Sequence, residues 1–277
     1  MLMALIWGVN FSVVKYGTTL VDPLAYNGVR VSLAALLLSA IVLIGRFPLP
    51  SGRTIVSLLL LGALGNGVYQ YFFVEGIALT RASDTALVVA ASPAFIAIIG
   101  RVFGVERLNR RAVIGVVSSV VGIALVVIGS TRDEGTSSLF GLLLVLCGTL
   151  AWSFYTVLLK PHTERIDGLQ LSAVTMVGGA VPLLAVAWPA VARTHWSALP
   201  LLGWGAVLYS AVFALVVAYF IWYRGVRLIG PTRTAMYSNV QPVVAVLVAW
   251  AMLGEVPTAW QVVGATCIMG SLVLARP

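Results

Sequence analysis

The stretch GVRLIGPTRTAMYSNVQP, residues 225–242, decides the fold because an earlier stretch of the chain repeats its pattern. The earlier stretch is GIALTRASDTALVVAASP, residues 76–93, and both run from a glycine to a proline over the same number of residues. The shift that superimposes the two stretches also carries Glu106 onto Glu255. Residues that match at one constant spacing over such a distance indicate an internal duplication.

A second pair of segments extends the duplication toward the start of the chain. LIWGVNFSVVK (5–15) parallels LAWSFYTVLLK (150–160), so that Trp7 aligns with Trp152. The duplication therefore predicts two repeats that together cover almost the whole sequence.

Composition determines the solvent in which this chain folds. The 277 residues are 60% hydrophobic and only 9% charged, with a mean hydropathy of +1.03, whereas a soluble domain carries about a quarter charged residues. A membrane-spanning helix needs about 20 mostly apolar residues, and strands of a membrane barrel are much shorter. The sequence predicts an all-α polytopic membrane protein with ten transmembrane helices: 1–16, 24–45, 54–78, 84–103, 111–130, 138–159, 169–190, 200–223, 234–253 and 258–275.

The number of predicted helices in each copy sets the symmetry. We predict a first five-helix repeat over 1–130, a second over 138–277, and a short extracytoplasmic connection at 131–137. Because five is odd, the second copy enters the membrane from the opposite side, which gives a 5+5 inverted repeat. Such repeats bind solutes near the middle of the bilayer, between the two copies.

The charge distribution predicts orientation in the membrane rather than nucleic-acid binding. The net charge is +8 and the pI about 9.9, but basic residues stand singly or in pairs between apolar stretches, with no basic domain to hold a phosphate backbone. The positive-inside rule places both termini in the cytoplasm. The opposite side then holds few basic residues: Lys15, Arg81, Arg132 and Arg193. The preference for arginine over lysine is typical of a GC-rich bacterial source, so we expect a bacterial cytoplasmic (inner) membrane.

Two blocks near the ends of the copies carry a family resemblance. ASPAF (91–95) with GVERLNRRAVIGVVSSVVGIALV (104–126) and NVQPVVAVLVAWAMLGEVPTAWQVVGATCIMGSLVL (239–274) share a mid-helix proline, a glutamate thirteen residues later and a final helix rich in glycine. They resemble the two EamA-type repeats of the drug/metabolite transporter superfamily. Over its whole length the chain is most similar to bacterial aromatic amino acid exporters, which implies ten helices and export of aromatic amino acids. Glu106 and Glu255 match the family signature and are interpreted as structural.

Large polar and aromatic side chains at mid-membrane depth are the candidates for solute binding. A polar group in hydrocarbon is costly unless it is partnered, so it marks a functional site by default. The alternative is that such residues join or pack neighbouring helices, and this alternative stays open for each tryptophan taken alone. The substrate-binding candidates are Trp7, Asn10, Asn66, Gln70, Phe73, Trp152, Tyr155, Tyr237 and Gln241.

Each repeat has a proline at the same position in the middle of a predicted helix. Pro93 and Pro242 each remove a backbone donor at mid-helix and allow a bend, so we predict that they are hinges. Tyr237 and Gln241 lie four residues apart on one helix face and occur only in the second copy.

Arg30 is a charged residue well inside a predicted helix. It stands about six residues into the second apolar stretch, where an unpaired guanidinium is expensive. The favoured interpretation is a structural ion pair, with binding of a substrate carboxylate as the alternative. The expected partners of the ion pair are Asp22, Asp84 and Glu75.

The sequence lacks the patterns that membrane enzymes and ATP-driven pumps require. It has no GxSxG, HExxH or GxxxxGK[ST] motif and no histidine within a predicted helix, so neither a hydrolytic site nor a phosphate-binding loop is predicted. The spacing of histidine and cysteine predicts no metal site, and no cofactor is expected. A channel would need rings of polar residues in an oligomer, so we expect a monomeric carrier, with a dimer left open.

The residues therefore predict a transporter and not an enzyme. Aromatic faces and uncharged amides suit small aromatic or amphipathic metabolites, above all aromatic amino acids, exported through a central cavity by alternating access. The acidic residues lie near the ends of the predicted helices. Because no carboxylate that could carry protons is then expected on the solute path, we predict facilitated export. The alternative is proton-coupled efflux of organic cations through Glu75 or Asp84.

Overall fold

The described part of the protein consists of helices joined by short connections. The computed structural model describes residues 1–105, 137–238 and 240–274, together with single positions between 114 and 128, and no strand occurs among them. A short 3-10 turn spans Trp196–Ala198. The helices are α1 (Leu2–Leu20), α2 (Pro23–Ile44), α3 (Gly52–Ala78), α4 (Ala82–Val102), α5 (Leu139–Thr163), α6 (Gly168–Arg193), α7 (Leu201–Ile229), α8 (Pro231–Leu253) and α9 (Ala259–Leu274).

Seven of these helices, α2 to α8, are long and apolar enough to cross a membrane. Helices α1 and α9, with 19 and 16 residues, are not among the seven, and most of the predicted helix over 111–130 lies outside the described residues. The structure thus agrees with an all-helical, multi-pass membrane protein. The count of ten helices in a 5+5 arrangement stays a prediction.

Equivalent aspartates begin the second helix of each half. Asp22 Oδ1 accepts a hydrogen bond of 2.9 Å from the Leu24 amide at the start of α2, and Asp167 Oδ1 accepts one of 2.9 Å from the Leu169 amide at the start of α6. Each carboxylate satisfies a backbone donor that has no partner inside its helix. The shift that carries Trp7 onto Trp152 also carries Asp22 onto Asp167, so both copies begin this helix in the same way.

The helices of the two halves pack between one another. Helix α2 lies along α6, α1 packs against α7 and α8, and α5 packs against α3 and α4. The largest hydrophobic cluster contains residues of both halves, from Met3 to Ala235. The two halves therefore share one core, and α1, α3, α5 and α7 meet at its centre.

Glycines allow α3 and α6 to cross at very short range. A Cβ atom added to Gly62 would lie 2.1 Å from the carbonyl oxygen of Thr175, and one added to Gly178 would lie 2.3 Å from the carbonyl oxygen of Leu59. Small residues are the usual means by which membrane helices approach closely.

Two π-helical segments occur at corresponding places in the halves. One spans Ala63–Val68 in α3, and the other spans Tyr209–Val217 in α7. When the two repeats are aligned so that Gly76 matches Gly225, the first segment falls within the range of the second. Such segments are rare and occur frequently at functional sites.

Helix α4 is interrupted one turn before its proline. The regular helix ends at Val89 and resumes at Ser92. Pro93 has no N–H for the carbonyl of Val89, and the Ser92 hydroxyl donates to that oxygen instead, at 2.5 Å. The interruption is therefore stabilised by a local hydrogen bond.

Helix α8 is interrupted at the corresponding place. Its first part ends at Tyr237 and its second begins at Val240. The carbonyl of Ser238, which Pro242 leaves without its usual donor, accepts a 2.8 Å bond from the backbone N–H of Gln241. Both prolines proposed as hinges thus follow a break in their helix.

Candidate functional site

A cavity with a volume of about 50 Å³ lies where α1, α3, α5 and α7 meet. The interruption of α4 borders it through Val89, Ala90 and Ser92, and that of α8 borders it through Ser238 and Gln241. Both helix breaks are therefore in contact with the same internal space.

Aromatic rings from both halves line the cavity. The rings of Trp7 and Trp152 meet edge to face, with centroids 6.0 Å apart at 89°. Trp222 lies against both, at 5.5 Å from Trp7 and 5.3 Å from Trp152, and Tyr219 lies 5.7 Å from Trp7. Edge-to-face pairs are the favoured arrangement of aromatic rings. We call Trp7, Tyr69, Trp152, Tyr219 and Trp222 the aromatic cluster; all five line the cavity.

Trp7 is oriented by the π segment of α7. Its Nε1–H donates a 2.8 Å hydrogen bond to the carbonyl of Ala214, which lies within Tyr209–Val217. This hydrogen bond holds the Trp7 indole against the irregular segment of α7.

The structure brings most of the predicted substrate-binding residues to this cavity. Three do not line it. Asn66 is fully buried and its amide has no hydrogen-bond partner among the described residues, the Tyr155 hydroxyl bonds that of Tyr223, and the Tyr237 side chain is 59% exposed. Substrate binding stays a prediction for all nine. The six that line the cavity are Trp7, Asn10, Gln70, Phe73, Trp152 and Gln241.

Arg30 also lines the cavity, and it is completely buried. Its Nε donates to Asn27 Oδ1 at 2.9 Å and its Nη2 donates to Gln70 Oε1 at 2.7 Å. The guanidinium carbon lies 5.8 Å from the centroid of the Tyr26 ring. Neutral amides and an aromatic face therefore surround this charge.

The ion pair expected for Arg30 is not formed with any of the three carboxylates named from the sequence. Asp22 caps its own helix, and Asp84 accepts hydrogen bonds of 2.6 Å from Ser137 and 2.6 Å from Gln261. Among the described residues, the ion pairs within 4 Å involve neither Arg30 nor Glu75. Asp22 and Asp84 are committed to groups at the helix ends, whereas Arg30 lies deeper in the bundle.

A second polar path joins α1, α2 and α7 beside the cavity. The Ser210 hydroxyl donates to Asn10 Oδ1 at 2.7 Å, and the Tyr26 hydroxyl lies 3.0 Å from that of Ser210. The Tyr26 hydroxyl also donates to the carbonyl of Ala206 at 3.0 Å. These bonds fix the position of the Asn10 amide in the wall.

Glu255 caps a helix of the other half. One carboxylate oxygen accepts the backbone N–H of Ala82 at 2.9 Å, and the other accepts the N–H and the hydroxyl of Ser83 at 3.0 and 2.6 Å. Arg81 lies 3.7 Å from the same carboxylate. Glu255 thus holds the start of α4 against the connection before α9. Glu106 lies outside the described residues.

The sequence did not single out every aromatic residue of the cavity wall. Trp222 is 1% exposed, and its Nε1–H is buried with no partner among the described residues. The duplication offered a signal, because the shift of Gly76 onto Gly225 places Trp222 at the position of Phe73. In the described ranges, no group of three or more His, Cys, Asp or Glu side chains is arranged to hold a metal ion.

Comparison with known proteins agrees with a transporter. The "Uncharacterized transporter YyaM" of Bacillus subtilis is 28% identical over 272 residues, which cover 97% of this chain and 89% of that protein. The "Uncharacterized inner membrane transporter YedA" of Escherichia coli K12 is 28% identical over 256 residues, covering 91% of this chain and 80% of that protein. One solved crystal structure shares the fold, with a TM-score of 0.71 at 18% identity over 99% of this chain and 93% of that one.

The family described as the EamA-like transporter family matches the chain twice, over residues 1–128 and 139–276. Together the two matches cover nearly the whole sequence. The chain therefore belongs to the EamA-like transporter family.

Proposed function

We propose that this transporter exports small aromatic or amphipathic metabolites, above all aromatic amino acids, across a bacterial cytoplasmic membrane in which both termini face the cytoplasm. The aromatic cluster is the observation that carries the proposal. Its rings surround a cavity at the centre of the bundle and present both apolar faces and edges to a solute. Aromatic side chains bind aromatic solutes through large contact areas and preferred ring geometries.

The transport step that we propose is alternating access between two inverted repeats. The two helices that carry Pro93 and Pro242 are interrupted beside the cavity, at corresponding places in the sequence. Bending there would move the outer part of one helix and the inner part of the other without moving the aromatic cluster. Helix breaks around a fixed central site are a recurring feature of carriers with inverted repeats.

Facilitated export is supported by the charges of the cavity wall. Proton-coupled carriers generally place a carboxylate on the solute path, whereas the described residues that line this cavity include no aspartate or glutamate. We therefore propose that solute flows down its own gradient.

The alternative function is proton-coupled efflux of organic cations, and the aromatic faces favour it because they attract cations. The buried guanidinium of Arg30 in the same wall opposes it.

Flux measurements in proteoliposomes test the proposal and its alternative. Purified protein is reconstituted, and the movement of labelled tryptophan, phenylalanine and an organic cation such as tetraphenylphosphonium is followed with and without an imposed pH gradient. We expect tryptophan and phenylalanine flux without a pH gradient, and little flux of the cation. Aromatic amino acid flux that requires the pH gradient would refute the facilitated mechanism, and flux of the cation alone would refute the substrate class.

A further inference from the structure

We propose that Arg30 binds the carboxylate of the solute, so that the substrates of this cavity are aromatic carboxylates, whether zwitterionic amino acids or simple anions. The inference rests on the proposed function for the aromatic part of the solute. It goes beyond that function by assigning the charge that a substrate must carry and the side chain that recognises it.

The first argument is the uncompensated charge of Arg30. The guanidinium stays ionised under all ordinary conditions, and here it is fully buried. Its hydrogen-bond acceptors, the side-chain oxygens of Asn27 and Gln70, are neutral. A buried charge without an opposite charge is costly, so a carboxylate bound beside Arg30 offsets this cost.

The second argument is the hydrogen-bonding capacity that Arg30 retains. A guanidinium has five N–H donors in a fixed fork. In the described structure Nε and Nη2 each donate once, and Nη1 makes no hydrogen bond. The free donors suit the two oxygens of a carboxylate, which binds arginine in a bidentate manner.

The third argument is that Arg30 is already held in place. Asn27 Nδ2 donates to the backbone carbonyl of Gln70 at 2.8 Å, and Gln70 Nε2 donates to the Tyr219 hydroxyl at 3.2 Å. Both partners of the guanidinium are therefore fixed by α3 and α7. A preorganised donor loses less conformational entropy when a ligand binds.

The fourth argument is the sign of the charge in the cavity wall, where Arg30 has no lining carboxylate beside it among the described residues. The buried Nε1–H of Trp222 has no acceptor in the same part of the chain. A solute with acceptor oxygens and negative charge satisfies such a wall, whereas a cationic amine does not. Because Arg30 and the aromatic cluster line one cavity, a single small molecule with a ring and a carboxylate can contact both.

Three probes with the same ring and different charges test the proposal. Indole-3-propionate is an anion, tryptophan a zwitterion and tryptamine a cation at neutral pH. Equilibrium binding of each is measured on the purified protein in nanodiscs. We expect wild-type protein to bind indole-3-propionate and tryptophan at least about tenfold more tightly than tryptamine, because a hydrogen bond to a charged group contributes about this factor or more.

Two variants separate recognition from a purely structural role of the arginine. Arg30→Gln removes the charge, and we expect binding of indole-3-propionate to weaken about ten- to hundredfold. Gln70→Glu keeps Arg30 but replaces an oxygen 2.7 Å from Nη2 with a carboxylate, while the Tyr219 hydroxyl can donate to the new side chain. This change strengthens the contact between Arg30 and residue 70. If Arg30 only stabilises the fold, Gln70→Glu should bind indole-3-propionate as wild-type protein does. Our proposal instead predicts that Gln70→Glu weakens this binding about as much as Arg30→Gln.

Controls keep the outcome decisive. Arg30→Lys retains the charge and should keep part of the preference for the anion, and Arg101→Gln, which neutralises an exposed arginine at the end of α4, should change nothing. If Arg30→Gln does not yield folded protein, Arg30→Lys decides, because it keeps the charge but loses the planar fork that binds both carboxylate oxygens, so the preference for the anion should fall. Failure of wild-type protein to prefer indole-3-propionate over tryptamine, or undiminished preference in the folded variants, overturns the proposal. Binding of the anion without any flux of aromatic amino acids would instead overturn the proposed function and leave this inference standing.

Discussion

Gln70 and Tyr219, which occupy the same position in the two halves of the sequence, touch each other across the centre of the protein. Gln70 Nε2 donates a 3.2 Å hydrogen bond to the Tyr219 hydroxyl. A second counterpart pair behaves in the same way, since the Ser118 hydroxyl donates to the carbonyl of Cys267 at 3.1 Å. A residue meets its own counterpart only close to an axis that relates the copies. These contacts support a two-fold relation between the copies, which the inverted repeat that we propose requires.

The aromatic cluster should contribute directly to solute affinity. Trp152→Leu keeps an apolar side chain but removes the ring that contacts Trp7 and Trp222. We expect tryptophan binding to weaken about two- to tenfold, the value of an aromatic pair. Trp188→Leu is the matched control, because Trp188 is 60% exposed on α6; equal effects of the two variants would contradict the assignment.

The prolines that follow the helix breaks should control the rate of transport more than the binding of solute. Pro93→Ala and Pro242→Ala each restore a backbone donor and allow a continuous helix, so we expect several-fold slower flux with nearly unchanged affinity. Pro189 lies inside α6, where the helix is not interrupted, and Pro189→Ala should leave flux unchanged. Normal flux in both hinge variants would refute the hinge assignment.

The cap that Glu255 forms on α4 should stabilise the protein. Glu255→Gln removes the charge that accepts the N–H groups of Ala82 and Ser83 and faces Arg81. We expect the free energy of unfolding to fall by about 1–2 kcal/mol, since caps and helix-terminal charges contribute this much. The comparison is Glu164→Gln.

Glu164 pairs with Lys160 at 3.1 Å, but its side chain is 61% exposed. Exposed pairs contribute about 0–1 kcal/mol, so Glu164→Gln should change stability less than Glu255→Gln. Thermal unfolding of both variants in the same detergent measures the difference. A larger loss in Glu164→Gln would show that the Glu255 cap contributes little.

The close crossing of α3 and α6 should tolerate no side chain larger than hydrogen at Gly62. A Cβ atom there would lie 2.1 Å from the backbone oxygen of Thr175, and backbone atoms of a packed helix cannot move aside without separating the helices. We expect Gly62→Ala to destabilise the protein by at least about 1–3 kcal/mol, the usual cost of overpacking.

Gly205 provides the control on α7. Nothing lies within 4 Å of the position that its Cβ would take, so Gly205→Ala should leave stability unchanged or raise it by about 1 kcal/mol, the difference in helix propensity. The melting temperatures of the two variants measure the contrast. Equal melting temperatures would contradict the close packing of α3 on α6.

Hydropathy predicted the positions of the described helices well and their lengths less well. The sixth helix of the described chain, predicted at 169–190, spans Gly168–Arg193, and α5, predicted to end at residue 159, continues to Thr163. Apolar composition marks the part of a helix that crosses hydrocarbon. The added turns carry polar residues such as Lys160, whose hydropathy resembles that of a loop although the backbone stays helical.

The candidate site could be predicted only where symmetry or spacing gave a signal. The matching positions of Trp7 and Trp152 drew attention to both, and they meet in the cavity wall. Trp222 lies near the end of its apolar stretch, where a tryptophan is usually interfacial. The position of Arg30 in the sequence placed its charge within a predicted helix, but its burial and the neutral character of its partners depend on which helices pack around it.

Counterflow of tryptophan tests the central claim most directly, namely that this chain is a carrier whose aromatic cavity takes aromatic amino acids. Proteoliposomes loaded with unlabelled tryptophan are diluted into a trace of labelled tryptophan, and the label inside is followed over time. We predict a transient accumulation of label above the outside concentration, which excess external phenylalanine abolishes. Entry of label no faster than into liposomes without protein would contradict the account.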